Sequence, residues 1–515
     1  YGDVFNSGGR NKTHDNEKYL RFFWEVSSDK QYWVRYSNGG DFRKYFGNEI
    51  QIVNWSNTAK NYYNSHGGLC NPKFWWKEGI TWSLITSAIN SFRIKSDYAQ
   101  YSSGSPTIFN SSFKCDRIAL SFLNSPISHY YLKALNPTLN TTVNDVFALP
   151  FIRNKNNNNN NNITDNVNKC INISKSDWDS YETSWDFTSL PLLKADYRKP
   201  SIKESYKLLR LHWKEMTLDM QKLEEENNRI FIEAYGLEDE LTPDVPLNEI
   251  TLTCNPHYRY GNGKSEAELD KLLLTDTMKE YISYAVGCIF GRYSLDREGL
   301  ILANAGEGFD DYITKVPNPT FVPDKTGIIP ITDESDFALD LANQFKTFLK
   351  TSFGNEKYEE NLHFIEDAVG KDIRSYLLKD FFKDHVKRYK NRPIYWMITS
   401  PSSSFKALIY LHRYTKDTIG ILSNDFIRPY RKKLEAKMEQ LNRTIVSSGV
   451  TGSEKIKAET AIDRYRKTIR ELEDWERDVV YPLAVKRIEL DLDDGVKVNY
   501  AKLGAILEKV KGLNG

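Results

Sequence analysis

The sequence has few cysteines, and their positions argue against two kinds of site. The five cysteines share no CxxC spacing and form no cluster with histidines; they are Cys70, Cys115, Cys170, Cys254 and Cys288. Zinc sites and disulfide frameworks both need cysteines at defined spacings. The pattern therefore argues against a metal site and against a disulfide scaffold, and it fits a reducing compartment.

Long apolar runs and a charge excess of one sign are also missing. No stretch approaches the roughly 18 apolar residues of a membrane span, and the N-terminus has no signal-peptide pattern. These absences predict a soluble, cytoplasmic protein with no membrane partner. The chain carries 70 Lys and Arg against 69 Asp and Glu, a net charge of +1. Any contact with nucleic acid must therefore come from local basic patches.

The chain does not begin with methionine. Residue 1 is a tyrosine, and the first methionine is Met216. We therefore expect this chain to be the C-terminal part of a longer protein, with any chemistry of the parent protein located upstream.

The familiar catalytic motifs are absent as well. There is no GxxxxGK[ST], GxSxG or HExxH. The glycine-rich segment Gly287–Arg292 follows a helix-like run and lacks GxGxxG, so we discount it as a nucleotide loop. The segment Asn255–Tyr258, reading NPHY, differs from the Asn-Pro-Pro-Tyr signature of amino-methyltransferases at His257. A turn cap is the favoured interpretation there, and no active site is visible.

The composition predicts several domains of an α+β fold. At 515 residues with 40% hydrophobic residues, the chain is long enough for about three domains of ~150 residues. Aromatic residues make up 13% of the chain, which suits strands and stacking contacts. Changes in pattern divide the chain into 1–152, 153–250, 251–425 and 426–515.

The first two segments differ in their predicted structure. Segment 1–152 reads as mostly strand: Leu20–Val26 and Tyr32–Tyr36 are aromatic strand candidates in a hairpin, and a helix over Asp116–Leu135 restarts at Pro126. The asparagine run Asn154–Lys169 is predicted to be a mobile surface insertion. Ser201–Tyr235 has helical periodicity.

The acidic segment Asp177–Phe187 lies between these two stretches and carries two tryptophans. The favoured interpretation is structural: an anchoring segment in which Trp178 and Trp185 pack against their neighbours.

The last two segments are mixed and then helical. Segment 251–425 combines helices with strand candidates at Gly327–Thr332 and Arg392–Thr399, and Phe405–Tyr414 is compatible with either. In segment 426–515, Leu434, Met438, Leu441 and Ile445 repeat at spacings of 4, 3 and 4. A second such series follows, so we predict a long antiparallel helical hairpin that serves as a spacer or docking arm.

The stretch Gly39–Trp55 has the clearest composition for a binding role. It places Arg43 and Lys44 among Phe42, Tyr45 and Phe46, after two glycines and before a strand-like run. Glycine permits close backbone approach, and cations beside aromatic rings suit phosphates and stacked bases. The alternative is an ordinary hairpin with a solvated basic tip.

Several long segments resemble one known family. The segment Leu120–Pro150 resembles the helix that closes target-recognition domains of restriction–modification specificity modules. Segments spread over nearly the whole chain resemble the C-terminal half of PglX, the adenine-specific DNA methyltransferase of BREX phage-defence systems. They are Asp177–Phe187, Glu224–Leu252, Ser283–Ala303, Gly327–Thr332, Leu378–Ser400 and Phe405–Tyr414.

The resemblance implies a parent enzyme that transfers a methyl group from S-adenosylmethionine to adenine in duplex DNA, flipping the base to do so. This chain lacks the catalytic motif and a convincing cofactor loop. The resemblance therefore implies that S-adenosylmethionine binds to a methyltransferase domain upstream. It also implies that this chain holds no cofactor and is inactive alone. Its expected partners are double-stranded DNA, its own N-terminal methyltransferase domain and other BREX subunits.

Our leading hypothesis makes residues 1–152 a DNA target-recognition domain, with Gly39–Trp55 as the candidate DNA-facing loop. The candidate DNA contacts are four cations, Arg43, Lys44, Lys60 and Arg93, with Tyr45, Tyr62, Tyr63 and Trp82 as packing or stacking neighbours. The alternative is a scaffold module that docks other subunits through its helical hairpin and tryptophan-rich surfaces. An independent enzyme such as a nuclease ranks last, because nothing resembles a metal-binding carboxylate set.

Overall fold

The structure is a computed structural model that describes residues 4–87, 89–136, 138–152, 157–332, 340–446 and 451–513. About half of the chain is helix and about a tenth is strand, which confirms the α+β class. The chain divides into two compact units. Unit 1 contains the described residues of 1–23 and 30–279, and unit 2 contains those of 24–29 and 280–515.

Unit 1 contains two small sheets. One is antiparallel, in the order β1-β8-β5-β6, and the other has the order β2-β4-β3-β7, in which only the β3–β7 pair is parallel. The strands are β1 Phe5–Asn6, β2 Leu20–Phe22, β3 Trp33–Ser37, β4 Gln51–Asn54, β5 Gly79–Trp82, β6 Phe92–Lys95, β7 Ala99–Tyr101 and β8 Thr107–Asn110.

The predicted hairpin between the first two aromatic segments is wrong. Strand β4 lies between β2 and β3, so that Val53 pairs with Leu20 on one side and with Val34 on the other. The sheet places Tyr36 and Val53 in one buried cluster with Trp55. Burial of this apolar face, which includes the later strand, selects the observed order over the local hairpin.

Most helices of unit 1 follow its strands in the chain, whereas Asn16–Tyr19 and Asn57–Ser65 are short helices that lie among them. Ser56 caps α2 through its side chain, and Ser125 does the same for α4, whose first residue is Pro126 as predicted. The helices are α1 Asn16–Tyr19, α2 Asn57–Ser65, α3 Arg117–Leu123, α4 Pro126–Leu135, α5 Val143–Phe147, α6 Asn157–Trp178, α7 Ile202–Tyr235, α8 Pro256–Tyr260 and α9 Glu266–Ile289. The division between the units falls at 279/280, within the residue range of α9.

Helix α6 corrects the prediction for the asparagine run. Residues 157–169 form the first half of this helix, while 154–156 lie outside the described residues. Ile163, Val167 and Cys170 are fully buried on one face of the helix, which packs against α3 and α7. Asparagine is a weak helix former, but burial of an apolar face outweighs a per-residue propensity of well under ~1 kcal/mol.

Unit 2 is built around a three-stranded antiparallel sheet of order β10-β11-β9, whose strands are almost entirely buried. The strands predicted at Gly327–Thr332 and Arg392–Thr399 are confirmed. The segment Phe405–Tyr414, which was compatible with helix or strand, forms a strand followed by a 3-10 turn. The strands are β9 Ile328–Ile331, β10 Tyr395–Thr399 and β11 Lys406–Tyr410.

The predicted helical hairpin is also confirmed, as the antiparallel pair α16 and α17. A π-helical turn at Leu422–Ile427 leads into α16, and a second one at Glu476–Val480 follows α17. The helices of unit 2 are α10 Phe309–Lys315, α11 Leu341–Phe353, α12 Tyr358–Val369, α13 Ile373–Lys379, α14 Phe381–Arg388, α15 Thr418–Ile421, α16 Arg428–Val446, α17 Gly452–Trp475, α18 Tyr481–Lys486 and α19 Gly495–Lys502.

The predicted segment boundaries at 152/153 and 250/251 fall inside unit 1, and the one at 425/426 falls inside unit 2. Within the part of the chain that the structure describes, no helix is both long enough and apolar enough to cross a membrane.

The glycine-rich segment Gly287–Arg292 has a packing role. A Cβ at Gly287 would lie 2.5 Å from the ring of Tyr293, which is buried and stacked on Tyr284 at 5.2 Å between centroids.

We predict that Gly287→Ala lowers the free energy of unfolding of unit 2 by ~1–3 kcal/mol, because the ring of Tyr293 has no room to move. The matched control is Gly420→Ala in helix α15, where the added methyl meets nothing within 4 Å. It should be neutral or stabilise by up to ~1 kcal/mol in urea unfolding.

A buried histidine, His385, is expected to make unit 2 sensitive to acid. Nε2 of His385 accepts hydrogen bonds from the backbone N–H groups of Ile394 (3.2 Å) and Tyr395 (3.0 Å), so this nitrogen must be unprotonated. Burial, reinforced by Arg388 and Arg292, holds the pKa of His385 well below its usual value. The unfolded chain therefore takes up the proton first as pH falls below ~6.5, and stability falls with pH.

We predict a stability loss of up to ~1.4 kcal/mol per pH unit below pH ~6.5 from this one group. His385→Gln keeps an acceptor but does not titrate, so its urea-unfolding curve should lose less stability between pH ~6.5 and ~5. Equal losses in the two proteins would show that His385 is not the titrating group.

Candidate functional site

The stretch Gly39–Trp55 is not an exposed tip. Its backbone lies against strand β6: the N–H of Tyr45 donates to the carbonyl of Phe92 (2.9 Å), and the N–H of Ile94 donates to the carbonyl of Tyr45 (2.9 Å). Tyr45 has a positive φ of 66°, which turns the chain so that Arg43 and Lys44 point into the protein. The alternative interpretation of this stretch, an ordinary hairpin with a solvated basic tip, is therefore wrong, because both cations are buried.

Arg43 forms a buried ion pair with helix α6. Its Nη2 lies 2.7 Å from Oδ2 of Asp177, and the two side chains are 3% and 0% exposed. The remaining guanidinium donors reach the carbonyls of Phe46 (2.9 Å) and Ser174 (3.2 Å) and the hydroxyl of Thr253 (2.9 Å). The backbone N–H groups of Thr253 (2.7 Å) and Cys254 (2.9 Å) donate to the same carboxylate. Nearly every polar atom of this pair is thus satisfied, which a buried charge requires.

Lys44 makes the second buried ion pair, with helix α7. Its Nζ lies 2.5 Å from Oε2 of Glu224, and both side chains are at most 3% exposed. Burial raises the pKa of Glu224, and the neighbouring ammonium of Lys44 opposes that rise. The backbone N–H of Lys44 also donates to the hydroxyl of Thr251 (3.0 Å). We call the Arg43–Asp177 and Lys44–Glu224 pairs the buried clamp, because they connect one loop to two helices.

Other predicted DNA contacts are also internal. Arg93 is 1% exposed, its guanidinium donates to the carbonyl of Gly39 (2.8 Å), and burial lowers its pKa to about 10. Trp82 is fully buried and donates from its indole to the carbonyl of Thr141 (2.8 Å). Tyr45 and Tyr63 are buried as well, and the hydroxyl of Tyr63 donates to the carbonyl of Asn54 (2.7 Å).

Lys60 and Tyr62 on helix α2 are the two predicted contacts that reach the surface, each partly exposed. Six of the eight candidates therefore support the fold, and the structure does not bring the eight together on one face. DNA contact by any of them stays a prediction. For the buried six, such contact would require the side chain to leave its present partners.

Unit 1 has a different surface feature suited to binding, which we call the polar groove. It is a cleft of about 290 Å³ lined by Asn11, Lys12, Thr13, His14, Asn16, Tyr36, Asn38, Ser102 and Ser103. The lining residues carry amide, hydroxyl, imidazole and ammonium groups, and no carboxylate is among the described residues that line the groove. This set offers donors and acceptors for base edges together with a cation for a phosphate.

The groove is held in place by the sheet behind it. The hydroxyl of Tyr36 donates to the carbonyl of Asn11 (3.1 Å), and Nδ2 of Asn38 donates to Gln51 (2.7 Å). The Asn11 amide oxygen accepts from the N–H of Cys70 (3.0 Å), which fixes the orientation of that amide. Nδ2 of Asn11 is buried and has no hydrogen-bond partner among the residues that the structure describes.

One side of the groove continues onto helix α2. The ring of His14 lies 5.5 Å from that of His66, which lies 4.4 Å from that of Tyr62. These ring contacts place Tyr62 beside the polar groove. The groove itself was not predicted from the sequence. The available signal was the polar run Asn11–Asn16, which carries neither an apolar period nor a turn pattern.

The methyltransferase-like NPHY segment has a capping role, as predicted. The side chain of Asn255 accepts from the N–H of His257 (3.1 Å) and starts helix α8, and Asn255 is fully buried. Within the described residues, no group of three or more His, Cys, Asp or Glu is placed to hold a metal ion.

Comparison with known proteins shows to which proteins the chain is related. No protein-family model matches it. The adenine-specific methyltransferase BrxX of Escherichia coli O9:H4 (strain HS) is 34% identical over 501 residues, which are 94% of this chain and 40% of that protein. The chain is homologous to part of this BrxX protein. The adenine-specific methyltransferase PglX of Lacticaseibacillus casei (strain Zhang) is likewise 34% identical over 503 residues, 93% of this chain and 39% of that protein. The chain thus spans about two fifths of the length of these relatives, and the resemblance to PglX is confirmed.

Removal of one partner of the buried clamp should destabilise unit 1 strongly. We predict that Arg43→Ala lowers the free energy of unfolding by ~3–5 kcal/mol, because Asp177 is left as a buried and uncompensated charge. The control is Arg210→Ala, which breaks an ion pair with Asp270 whose side chain is 56% exposed. That change should cost at most ~1 kcal/mol in denaturant unfolding. Similar losses in the two variants would contradict the role assigned to the clamp.

Proposed function

We propose that this chain is the part of an adenine-specific DNA methyltransferase of the BREX type that recognises duplex DNA, and that unit 1 reads the sequence through the polar groove. The observation that carries the proposal is the groove itself, in which nine polar or aromatic residues converge. Homology to adenine-specific methyltransferases over nearly the whole chain supports the choice of DNA as ligand.

The chemistry of the groove favours a division of labour. His14 and Asn16 are exposed at the opening and carry groups that form hydrogen bonds with base edges. Lys12 is a point charge suited to a phosphate, which sets position but carries no sequence information. In this proposal the chain selects where methylation occurs. The S-adenosylmethionine site and the catalytic groups belong to a methyltransferase domain outside this chain, so the chain alone transfers no methyl group.

Substitutions of the two proposed base-contacting residues, His14 and Asn16, should differ in effect from substitution of the proposed phosphate contact, Lys12. We call the first two the reader variants. A preferred duplex is first selected from a randomised pool with the 515-residue chain, and its affinity is compared with that of a scrambled duplex. His14→Ala and Asn16→Ala should each weaken binding to the preferred duplex by ~5- to 150-fold, equivalent to ~1–3 kcal/mol, and weaken binding to the scrambled duplex less. Lys12→Gln should weaken both to the same extent and reduce the salt slope by about 1.

The matched controls are Asn144→Ala and Lys133→Gln, two exposed positions of unit 1 outside the groove. They should leave both affinities and the salt slope unchanged. A pool that shows no enrichment, or reader variants that behave like these controls, would refute sequence reading by the groove.

One observation favours a docking role as a second candidate. The N–H of Thr86 donates to the carbonyl of Leu139 (3.0 Å), which brings two exposed apolar residues of unit 1 together: Ile85 is 66% exposed and Leu139 is 59% exposed. Exposed apolar residues grouped in this way mark interaction surfaces. The fitting partner is the methyltransferase domain of the parent protein. Ile85→Ser with Leu139→Ser should then weaken assembly with that domain and leave DNA affinity intact.

A further inference from the structure

Unit 2 contains a cleft of about 590 Å³ whose rim is strongly basic. Seven lysines and one glutamate, Glu508, are among its lining residues, so the cleft carries a net charge of +6, whereas the whole chain carries +1. Six of the lysines are exposed; they are Lys379, Lys383, Lys387, Lys390, Lys509 and Lys511. Positive charge is thus concentrated at one place in an otherwise balanced chain.

Three structural elements hold these lysines around one opening. Lys383 and Lys387 lie one turn apart on helix α14, and Lys390 follows in a turn closed by the N–H of Asn391 donating to the carbonyl of Val386 (2.9 Å). On the other side, the segment with Lys509 and Lys511 is fixed to strand β10, because the N–H of Glu508 donates to the carbonyl of Met397 (2.8 Å). The arrangement is therefore built into the fold of unit 2.

The charges of the cleft are only partly compensated, because Glu508 is the one carboxylate among the described residues that line it. Within the described residues, none of the six exposed lysines has an ion pair or a side-chain hydrogen bond. The seventh lysine, Lys406, donates at 3.4 Å to the carbonyl of Leu378, a neutral group. Clustered like charges repel one another and destabilise the folded state, so such a cluster favours an external anion.

Two features decide the class of ligand. Six ammonium groups exceed the charge of a carboxylate or of a single phosphate, so they fit a chain of phosphates. Arginine, which recognises planar groups through two parallel hydrogen bonds, is absent from the described residues that line the cleft, whereas lysine acts as a point charge without directional preference. The floor contains Leu378, Phe382, Val386, Met397 and Val510, against which lysine stems and sugars can pack.

We propose that this lysine cleft binds the phosphodiester backbone of duplex DNA without reading its sequence. The identity of the polyanion rests on the proposed function of the chain, whereas the charge and geometry of the cleft do not depend on it. The cleft adds a salt-dependent part to the affinity, and the polar groove of unit 1 supplies base discrimination. The two surfaces therefore have separable effects on binding.

The test compares two triple variants of the 515-residue chain that remove the same charge. The cleft variant carries Lys383→Gln, Lys387→Gln and Lys509→Gln. The control carries Lys455→Gln, Lys457→Gln and Lys467→Gln, three exposed lysines of helix α17. Affinity for a labelled duplex is measured between about 50 and about 200 mM salt. The cleft variant should lose at least about tenfold in affinity at the low-salt end, and its log–log salt slope should become shallower by about 2.7, or about 0.9 for each lost phosphate contact.

The preference for the selected duplex over a scrambled one should be unchanged in the cleft variant, because lysine contacts to the backbone read no bases. The unfolding midpoint should be unchanged or higher, since like charges have been removed. If the triple variant fails to fold, the single variant Lys387→Glu replaces it and should still reduce affinity on both duplexes.

The outcomes separate this proposal from the proposed function. A cleft variant whose affinity and slope equal those of the control would overturn the cleft proposal, as expected if the cleft serves an acidic protein surface instead. An intact chain without salt-dependent affinity for any duplex would overturn it as well. A wild-type chain that binds DNA without sequence preference, together with a weakened cleft variant, would refute reading by the polar groove and support the cleft.

Discussion

The architecture of unit 1 depends on two cations that are buried in one loop. Arg43 and Lys44 are adjacent in sequence, yet their carboxylate partners lie on different helices, Asp177 on α6 and Glu224 on α7. Two desolvated ions are expensive to bury unless their remaining donors and acceptors are satisfied. The backbone N–H groups of Thr253 and Cys254 donate hydrogen bonds to the carboxylate of Asp177. The same interaction therefore also holds the segment after residue 250. One loop thereby fixes the positions of elements separated by some 200 residues of sequence.

Strongly patterned elements could be predicted from the sequence, whereas long-range partners could not. The helical hairpin of α16 and α17 and strands β9 and β10 follow from local periodicity and β-branched content. The position of β4 between β2 and β3 depends on a later segment, so the local hairpin interpretation failed. The asparagine run failed for a related reason: the apolar residues that make it a helix, Ile163, Val167 and Cys170, are informative only once α3 and α7 are known to cover them.

The same limit explains the outcome for the candidate site. A basic and aromatic loop has the composition of both a DNA contact and a buried ion-pair network, and the difference is whether carboxylates elsewhere reach it. Asp177 and Glu224 lie in acidic segments whose pairing with residues 43 and 44 leaves no local pattern. The polar groove was missed because Asn11–Asn16 has no period, and because Ser102, Tyr36 and Asn38 join it only through sheet pairing. Homology to the BrxX and PglX adenine-specific methyltransferases extends over nearly the whole chain, and it does not depend on which residues are exposed.

We expect the buried clamp to join the strand-rich part, α6 and α7 into one cooperative body. Native-state hydrogen exchange at increasing denaturant tests it most directly. The amides to follow are those of Tyr45, bonded to Phe92, of Thr253 and Cys254, bonded to Asp177, and of the buried core of α6 around Val167. All of them are expected to exchange only through a single global opening with the same free energy. Exchange of the α6 amides through a separate opening of lower free energy, while Tyr45 stays protected, would contradict it.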